Sequence, residues 1–328
     1  MTRRGDTVGI IGAGTFGTAL GSVLARGGRR VILLSRDAKV VDAIQSTRKS
    51  PRLPAATLPE PLEATYDPRH LAAEARFLVL AVSSTNVRDR ARELGDVLDG
   101  SHIVVHAIGA LATPNNERVS EVMAQGLPTL KLGVLAGPAL PADLVEGQFA
   151  SMVVASAFDE VVGEARRLLN APPALRLYGS RDLAGVELAS ALSGAYVIAL
   201  GLCDGLGMTT GPRAVLITRA IAEAARLGAA NGAEARTFSG LAGLGNILVR
   251  ASSDRSADYL LGRRLAEGVI TADSVRTEGA RAAITGVALA KQVRVRMPVL
   301  EGVAAILSGK LEPKDAARLI GDNVASEE

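Results

Sequence analysis

Gly12, Gly14 and Gly17 punctuate the run Val8-Gly9-Ile10-Ile11-Gly12-Ala13-Gly14-Thr15-Phe16-Gly17-Thr18-Ala19-Leu20, so that an apolar strand passes through three spaced glycines into an apolar helix. That spacing suits one kind of chemistry, the binding of a dinucleotide by its pyrophosphate. Gly12 permits the tight turn, Gly14 lets the backbone approach the phosphates, and Gly17 lets helix pack on strand, while the helix N-terminus aims its free N–H groups at the anion. Gly12, Gly14, Thr15, Phe16 and Gly17 are therefore the candidate coenzyme contacts. After the second apolar run, Ser35-Arg36 stands where a carboxylate would bind the ribose 2′-hydroxyl of NAD. An arginine there favours the extra phosphate of NADP, while Asp37 just behind it keeps NAD open. His106, ending Ile103-Val104-Val105, titrates in the range a proton donor needs, and is equally readable as a hydrogen-bonded histidine closing a strand.

Positioning these residues requires a sheet. Apolar runs at 8–11, 31–34, 77–82, 103–106, 132–135, 151–155 and 175–178 alternate with helical stretches. Near-continuous apolar strands separated by helices imply a parallel sheet covered on both faces, with ligands at its carboxyl edge. From Asp182 onward the chain is rich in alanine and leucine at helical spacing. The expected fold class is thus α/β, an N-terminal Rossmann-type doubly wound sheet over 1–181 followed by an all-α domain over 182–328. In the latter, Val215, Leu216, Ile217, Ile221, Ala224, Ala225 and Leu227 form an apolar stripe that Gly228 and Gly232 are expected to stop. Met297-Pro298 opens another helix, and Pro313 opens a last one over 314–320.

Composition narrows the function. Nearly half of the 328 residues are apolar, enough for two cores. Apolar runs such as 77–82 and 195–202 fall short of the roughly 20 residues of a membrane span. Met1-Thr2-Arg3-Arg4 leads into the nucleotide strand with no cleavable leader, and the lone Cys203 offers no disulfide, so a cytoplasmic location is expected with Cys203 as a buried thiol. His70, His102 and His106 lack ligand spacing, so no metal is expected. A net charge of +3 with scattered arginines and 3% aromatic residues argues against nucleic acid. A small-molecule substrate is expected, and the apolar helical half suits a homodimer.

Ordered motifs over nearly the whole chain resemble the bacterial NAD(P)-dependent glycerol-3-phosphate dehydrogenases. They are the glycine run from Gly12 to Leu20, Leu78-Val79-Leu80-Ala81-Val82-Ser83-Ser84, Leu135-Ala136-Gly137-Pro138, Gly185-Val186-Glu187-Leu188, Asp204-Gly205, Leu216-Ile217-Thr218-Arg219, Gly240-Leu241-Ala242-Gly243-Leu244-Gly245 and Glu278-Gly279. The resemblance implies hydride transfer to dihydroxyacetone phosphate, a place in glycerophospholipid metabolism, a substrate role at Gly137 and Ser256, and a coenzyme role for Glu278.

It also implies charged groups that this sequence lacks. Ile108 stands where the family has a lysine, Ser193-Gly194 replaces its catalytic lysine and asparagine, and Asn246 replaces its aspartate. Ser256-Ala257-Asp258 replaces the serine-arginine-asparagine that grips phosphate. Between Leu132 and Ala290 there is no lysine at all. General acid–base help is worth about 10²–10⁴ in rate, so these losses predict a diverged pocket, weak turnover of dihydroxyacetone phosphate and a different carbonyl or alcohol substrate. Asp258 is expected to repel a phosphate, with Arg250 and Arg255 as candidate replacements for its grip. His106, Ser193 and Asn246 are the candidate catalytic positions, with Tyr196 and Asp204 as further possible donors. The other class of function is a non-catalytic NADP(H)-binding sensor or partner-binding homologue.

Overall fold

The computed structural model describes residues 4–268 and 276–315. Its first half alternates strands and helices: β1 (Val8–Ile11), α1 (Thr15–Arg26), β2 (Val31–Leu34), α2 (Ala38–Thr47), β3 (Lys49–Ser50), β4 (Leu53–Thr57), β5 (Leu62–Thr65), α3 (Pro68–Glu74), β6 (Phe77–Leu80), α4 (Val87–Gly95), β7 (Ile103–His106), α5 (Val119–Gly126), β8 (Leu132–Ala136), α6 (Pro141–Glu146), β9 (Ala150–Ala155), α7 (Asp159–Leu169) and β10 (Leu175–Ser180). Helices then follow one another: α8 (Leu183–Gly205), α9 (Thr210–Ala230), α10 (Asn246–Arg250), α11 (Ala257–Ala266), α12 (Glu278–Gln292) and α13 (Pro298–Leu307). Helix starts carry local signals. Asp37, Asp67, Ser256 and Thr277 accept backbone N–H bonds at the N-caps of α2, α3, α11 and α12, and Pro68 and Pro298 occupy first-turn positions.

Eight strands form one sheet in the order β10-β9-β8-β7-β6-β1-β2-β5. β1 lies between β2 and β6, parallel to both, so the strand order reverses on either side of it. A ligand crevice opens at the carboxyl end of such a switch strand, which is where Gly12 falls. β1, β2, β6 and β7 are buried at every position, and apart from His106 at the end of β7 none of their residues is polar.

The sheet corrects the expectation of uniformly parallel strands. β9 runs antiparallel to β8, and β10 pairs parallel to β9, so the far edge is reversed. The run 77–82 stops as a strand at Leu80, and the β3–β4 hairpin and β5 were not expected. β5 reads Leu62-Glu63-Ala64-Thr65, the alternation of a half-buried edge strand, without the continuous apolar signature of the others.

The chain forms two compact units, residues 1–108 with 119–183 and residues 109–118 with 184–328. A single division at 181/182 therefore misses the segment 109–118. Within the second unit, Arg118 Nη1 lies 3.5 Å from the buried Glu187 carboxylate on α8.

α8 departs from the expectation that no apolar segment reaches membrane-spanning length. Its 23 residues are long and apolar enough, but the apolar stretch is entirely buried in the fold. In α9 the helix runs past Gly228 to Ala230; a Cβ at Gly228 would collide with the Phe238 ring, so this glycine is a packing notch and Gly232, with φ +79°, follows the end. Residues 313–315 are helical, and the remainder of the helix expected at 314–320 lies outside the described residues.

Candidate functional site

At the carboxyl ends of β1 and β2 a groove of about 400 Å³ opens, lined by Gly12, Ala13, Gly14, Thr15, Ser35, Arg36 and Asp37, with Arg52, Ser83, Asn86 and Arg90. Gly12 has φ +114°, and a Cβ there would collide with the Ala81 carbonyl oxygen, so the tight turn between β1 and α1 needs glycine. A Cβ at Gly14 would meet no atom within 4 Å, so the fold itself does not demand glycine there. Its bare backbone faces the groove. As N-cap of α1, Gly14 also has no side chain to occupy the first-turn N–H groups, which stay available to an anion. Gly17 and Phe16 do not line the groove. Gly17 packs against the Gly12 carbonyl, and the Phe16 side chain packs on the sheet's apolar core.

The charged residues of the lining are three arginines and one aspartate. Asp37 Oδ1 accepts from Lys39 N at 3.0 Å as the N-cap of α2, so its carboxylate is held to the helix it starts. Arg36 and Arg52 have no carboxylate partner among the described residues, whereas Arg90 pairs with Glu93. Arg52 and Arg90 were not anticipated. Arg90 carried a signal nonetheless: with Val87, Ala91 and Leu94 it falls on the buried stripe of α4, an unusual place for a guanidinium.

His106 ends β7 in the first unit and is 1% exposed; its Nδ1 accepts from Ile108 N at 3.4 Å. Gly137, at φ +140°, directly follows β8, where a Cβ would lie 2.9 Å from Met152 Cα, a sufficient backbone reason for glycine.

In the second unit the structure brings Ser193 and Asn246 together. Ser193 is fully buried on α8, donates to the Ser190 carbonyl at 2.7 Å, and accepts from Asn246 Nδ2 at 2.9 Å and Arg250 Nη1 at 3.1 Å. One donor and two acceptor sites are all a hydroxyl has. Arg250 Nη2 pairs with Asp258 Oδ2, and Asp258 Oδ1 accepts from Gly279 N at 3.1 Å. The expected bare negative charge at Asp258 is therefore matched by Arg250. Ser256 is the N-cap of α11, accepting from Tyr259 N at 3.4 Å. Glu278 begins α12, pairs with Arg281 at 2.8 Å and does not line the groove.

The remaining candidate donors do not line the groove. Tyr196 is buried, and burial together with the Glu223 carboxylate pushes its hydroxyl well above the phenol range. Asp204 pairs with Arg213 and accepts from Tyr259 Oη at 2.6 Å. Burial pushes the Cys203 thiol up to about 11, keeping it unreactive. Among the described residues, no three His, Cys, Asp or Glu gather to hold a metal ion.

Comparison with known proteins agrees with this architecture at the level of family. The family models for the N-terminus and the C-terminus of NAD-dependent glycerol-3-phosphate dehydrogenase match residues 7–162 and 182–318. The chain is 37% identical over 319 residues to the glycerol-3-phosphate dehydrogenase [NAD(P)+] of Variovorax paradoxus, covering 94% of each chain. It is 35% identical over 315 residues to that of Desulfovibrio desulfuricans, again covering 94% of each. The crystal structure of the glycerol-3-phosphate dehydrogenase from Coxiella burnetii superimposes with a TM-score of 0.91 at 28% identity, covering 98% of this chain and all of that one.

Proposed function

Since the chain belongs to the family of NAD(P)-dependent glycerol-3-phosphate dehydrogenases, we propose that it is a nicotinamide-dependent carbonyl reductase that favours NADP(H) and takes an acceptor less anionic than dihydroxyacetone phosphate. The groove beside Gly12 and Gly14 fits the coenzyme, with bare backbone and free helix N–H groups for the pyrophosphate and Arg36 beyond β2 for the ribose end. When bound, reduced nicotinamide supplies the hydride.

One observation carries the divergence. The positions where the family resemblance implies a catalytic lysine, an aspartate and a phosphate grip hold Ser193, Asn246 and Asp258, and these are bonded to one another or to Arg250 as a closed set. Arg250 is the cation of this cluster, and Asp258 neutralises it, so a phosphate dianion finds no unmatched charge there. Losing one hydrogen bond to a charged group costs about 1.5–3 kcal/mol, roughly 10- to 100-fold in binding.

NADPH oxidation measured with dihydroxyacetone phosphate, dihydroxyacetone and hydroxyacetone tests the reading. The expected result is a higher kcat/KM for an uncharged ketone by at least about tenfold; saturating turnover of dihydroxyacetone phosphate above both would overturn it. The burial of His106 and Ser193 favours a second reading, a nucleotide-binding protein without catalysis. NADPH binding with no turnover of any of the three carbonyls is its signature.

A further inference from the structure

Arg36, Arg52 and Arg90 reach the rim of the groove from three separate elements, the β2–α2 loop, the β3–β4 turn and helix α4. Cations converging on one opening repel each other, and folding alone gives no reason to collect them. Arg90 feels this directly. Burial, and secondarily the charge of Arg36, pull its pKa below the ordinary guanidinium value although Glu93 opposes the shift. It is 7% exposed, and its one carboxylate partner among the described residues engages Nη1, leaving other N–H groups of the fork to serve the groove. Asp37, the lone acidic residue of the lining, is turned to the backbone of α2. Such a cluster suits an anion with several oxygens, able to accept from more than one guanidinium plane.

Position identifies which anion. Arg36 stands just past the end of β2, where the ribose of a dinucleotide in this groove falls, and Arg52 and Arg90 line the same groove, Arg90 within reach of the charge of Arg36, so a phosphate on the ribose 2′-oxygen meets the cluster while the pyrophosphate lies at α1. We propose that Arg36, Arg52 and Arg90 together seat the ribose 2′-phosphate, and that Arg90, brought in by α4, is a specificity-determining residue for NADP(H) over NAD(H). This rests on the coenzyme reading above and extends it from the strand-end arginine to a site built by tertiary contact.

The test measures equilibrium binding of 2′,5′-ADP, 5′-AMP, NADPH and NADH to the full chain and to R36A, R90A, R90Q and R88A. The full chain is expected to hold 2′,5′-ADP more tightly than 5′-AMP, and NADPH more tightly than NADH, by about 10- to 100-fold. In R90A the ratio of NADPH to NADH affinity falls by at least about tenfold. R90Q, which keeps the length and polarity of the side chain without its charge, falls alike and replaces R90A should the smaller residue impair folding. R88A lies on the same helix outside the groove, where Arg88 bonds Gln125, and it keeps the full-chain ratio. A ratio lost in R36A but retained in R90A and R90Q overturns the role of Arg90 while leaving NADP(H) preference standing. Equal affinities for NADPH and NADH in the unmodified chain overturn the 2′-phosphate seat itself, and absence of all nucleotide binding overturns the coenzyme reading beneath it.

Discussion

A buried hydroxyl has one proton to give and two lone pairs to fill, and Ser193 commits all three inside the second unit, to Ser190, Asn246 and Arg250. That bonding makes it an anchor for Arg250, with no spare proton for chemistry, although it occupies the place of a family lysine. It also alters what restoring that lysine would do. In S193K an ammonium would enter a fully buried site against a guanidinium that already has its carboxylate. The expected loss of unfolding free energy is about 2–4 kcal/mol in urea denaturation. Removing the competing cation in S193K/R250A lets Asp258 pair with the lysine and returns at least about 1 kcal/mol, a favourable coupling in the double-mutant cycle. Strictly additive losses would show that the two positions do not share Asp258.

Among the elements, the β1–α1 unit separates two demands on glycine that a sequence pattern merges. A Cβ on Gly17 would strike the Gly12 carbonyl, so helix and strand must part to admit it, whereas one on Gly14 meets no protein atom. G17A is expected to lose about 1–3 kcal/mol of stability as well as nucleotide affinity. G14A should unfold at the same urea midpoint as the unmodified chain and bind NADPH at least about tenfold more weakly, since its methyl enters the space the pyrophosphate needs. Tight NADPH binding by G14A would place the phosphates elsewhere. Helix α4 adds its own lesson, because the residue that breaks its apolar stripe is the one that reaches the groove.

At the scale of the whole molecule, stability carries the imprint of one buried carboxyl. Glu223 of α9 accepts from Val299 N at 3.1 Å and Leu300 N at 3.0 Å at the start of α13. Those bonds favour its anion, but burial outweighs them and pushes its pKa up to about 7. An unfolded glutamate titrates near 4.3, so between that value and about 7 the folded chain keeps a proton the unfolded chain has released. Stability from this group is therefore greatest below about pH 4.3, declines as pH rises and levels off above 7, by up to about 4 kcal/mol in all. Urea denaturation from pH 5 to 8 should show the decline, and E223Q should flatten it. An E223Q profile parallel to that of the unmodified chain would assign the pH dependence to other groups.

How much of this was legible depends on the range of the interaction. The strand, glycine spacing and helix of the nucleotide unit are written within thirteen consecutive residues, and turn sterics and apolar periodicity act over that distance, so the sequence alone determined the coenzyme cradle, the α/β-then-α order and the family. The direction of β9, the attachment of 109–118 to the second unit, the pairing of Arg250 with Asp258 and the arrival of Arg90 beside Arg36 depend on which surfaces meet in space. A charge has no meaning for binding until its neighbours are known, and only the tertiary structure decides whether they are a carboxylate, as at Arg250, or a carboxylate and a second cation, as at Arg90.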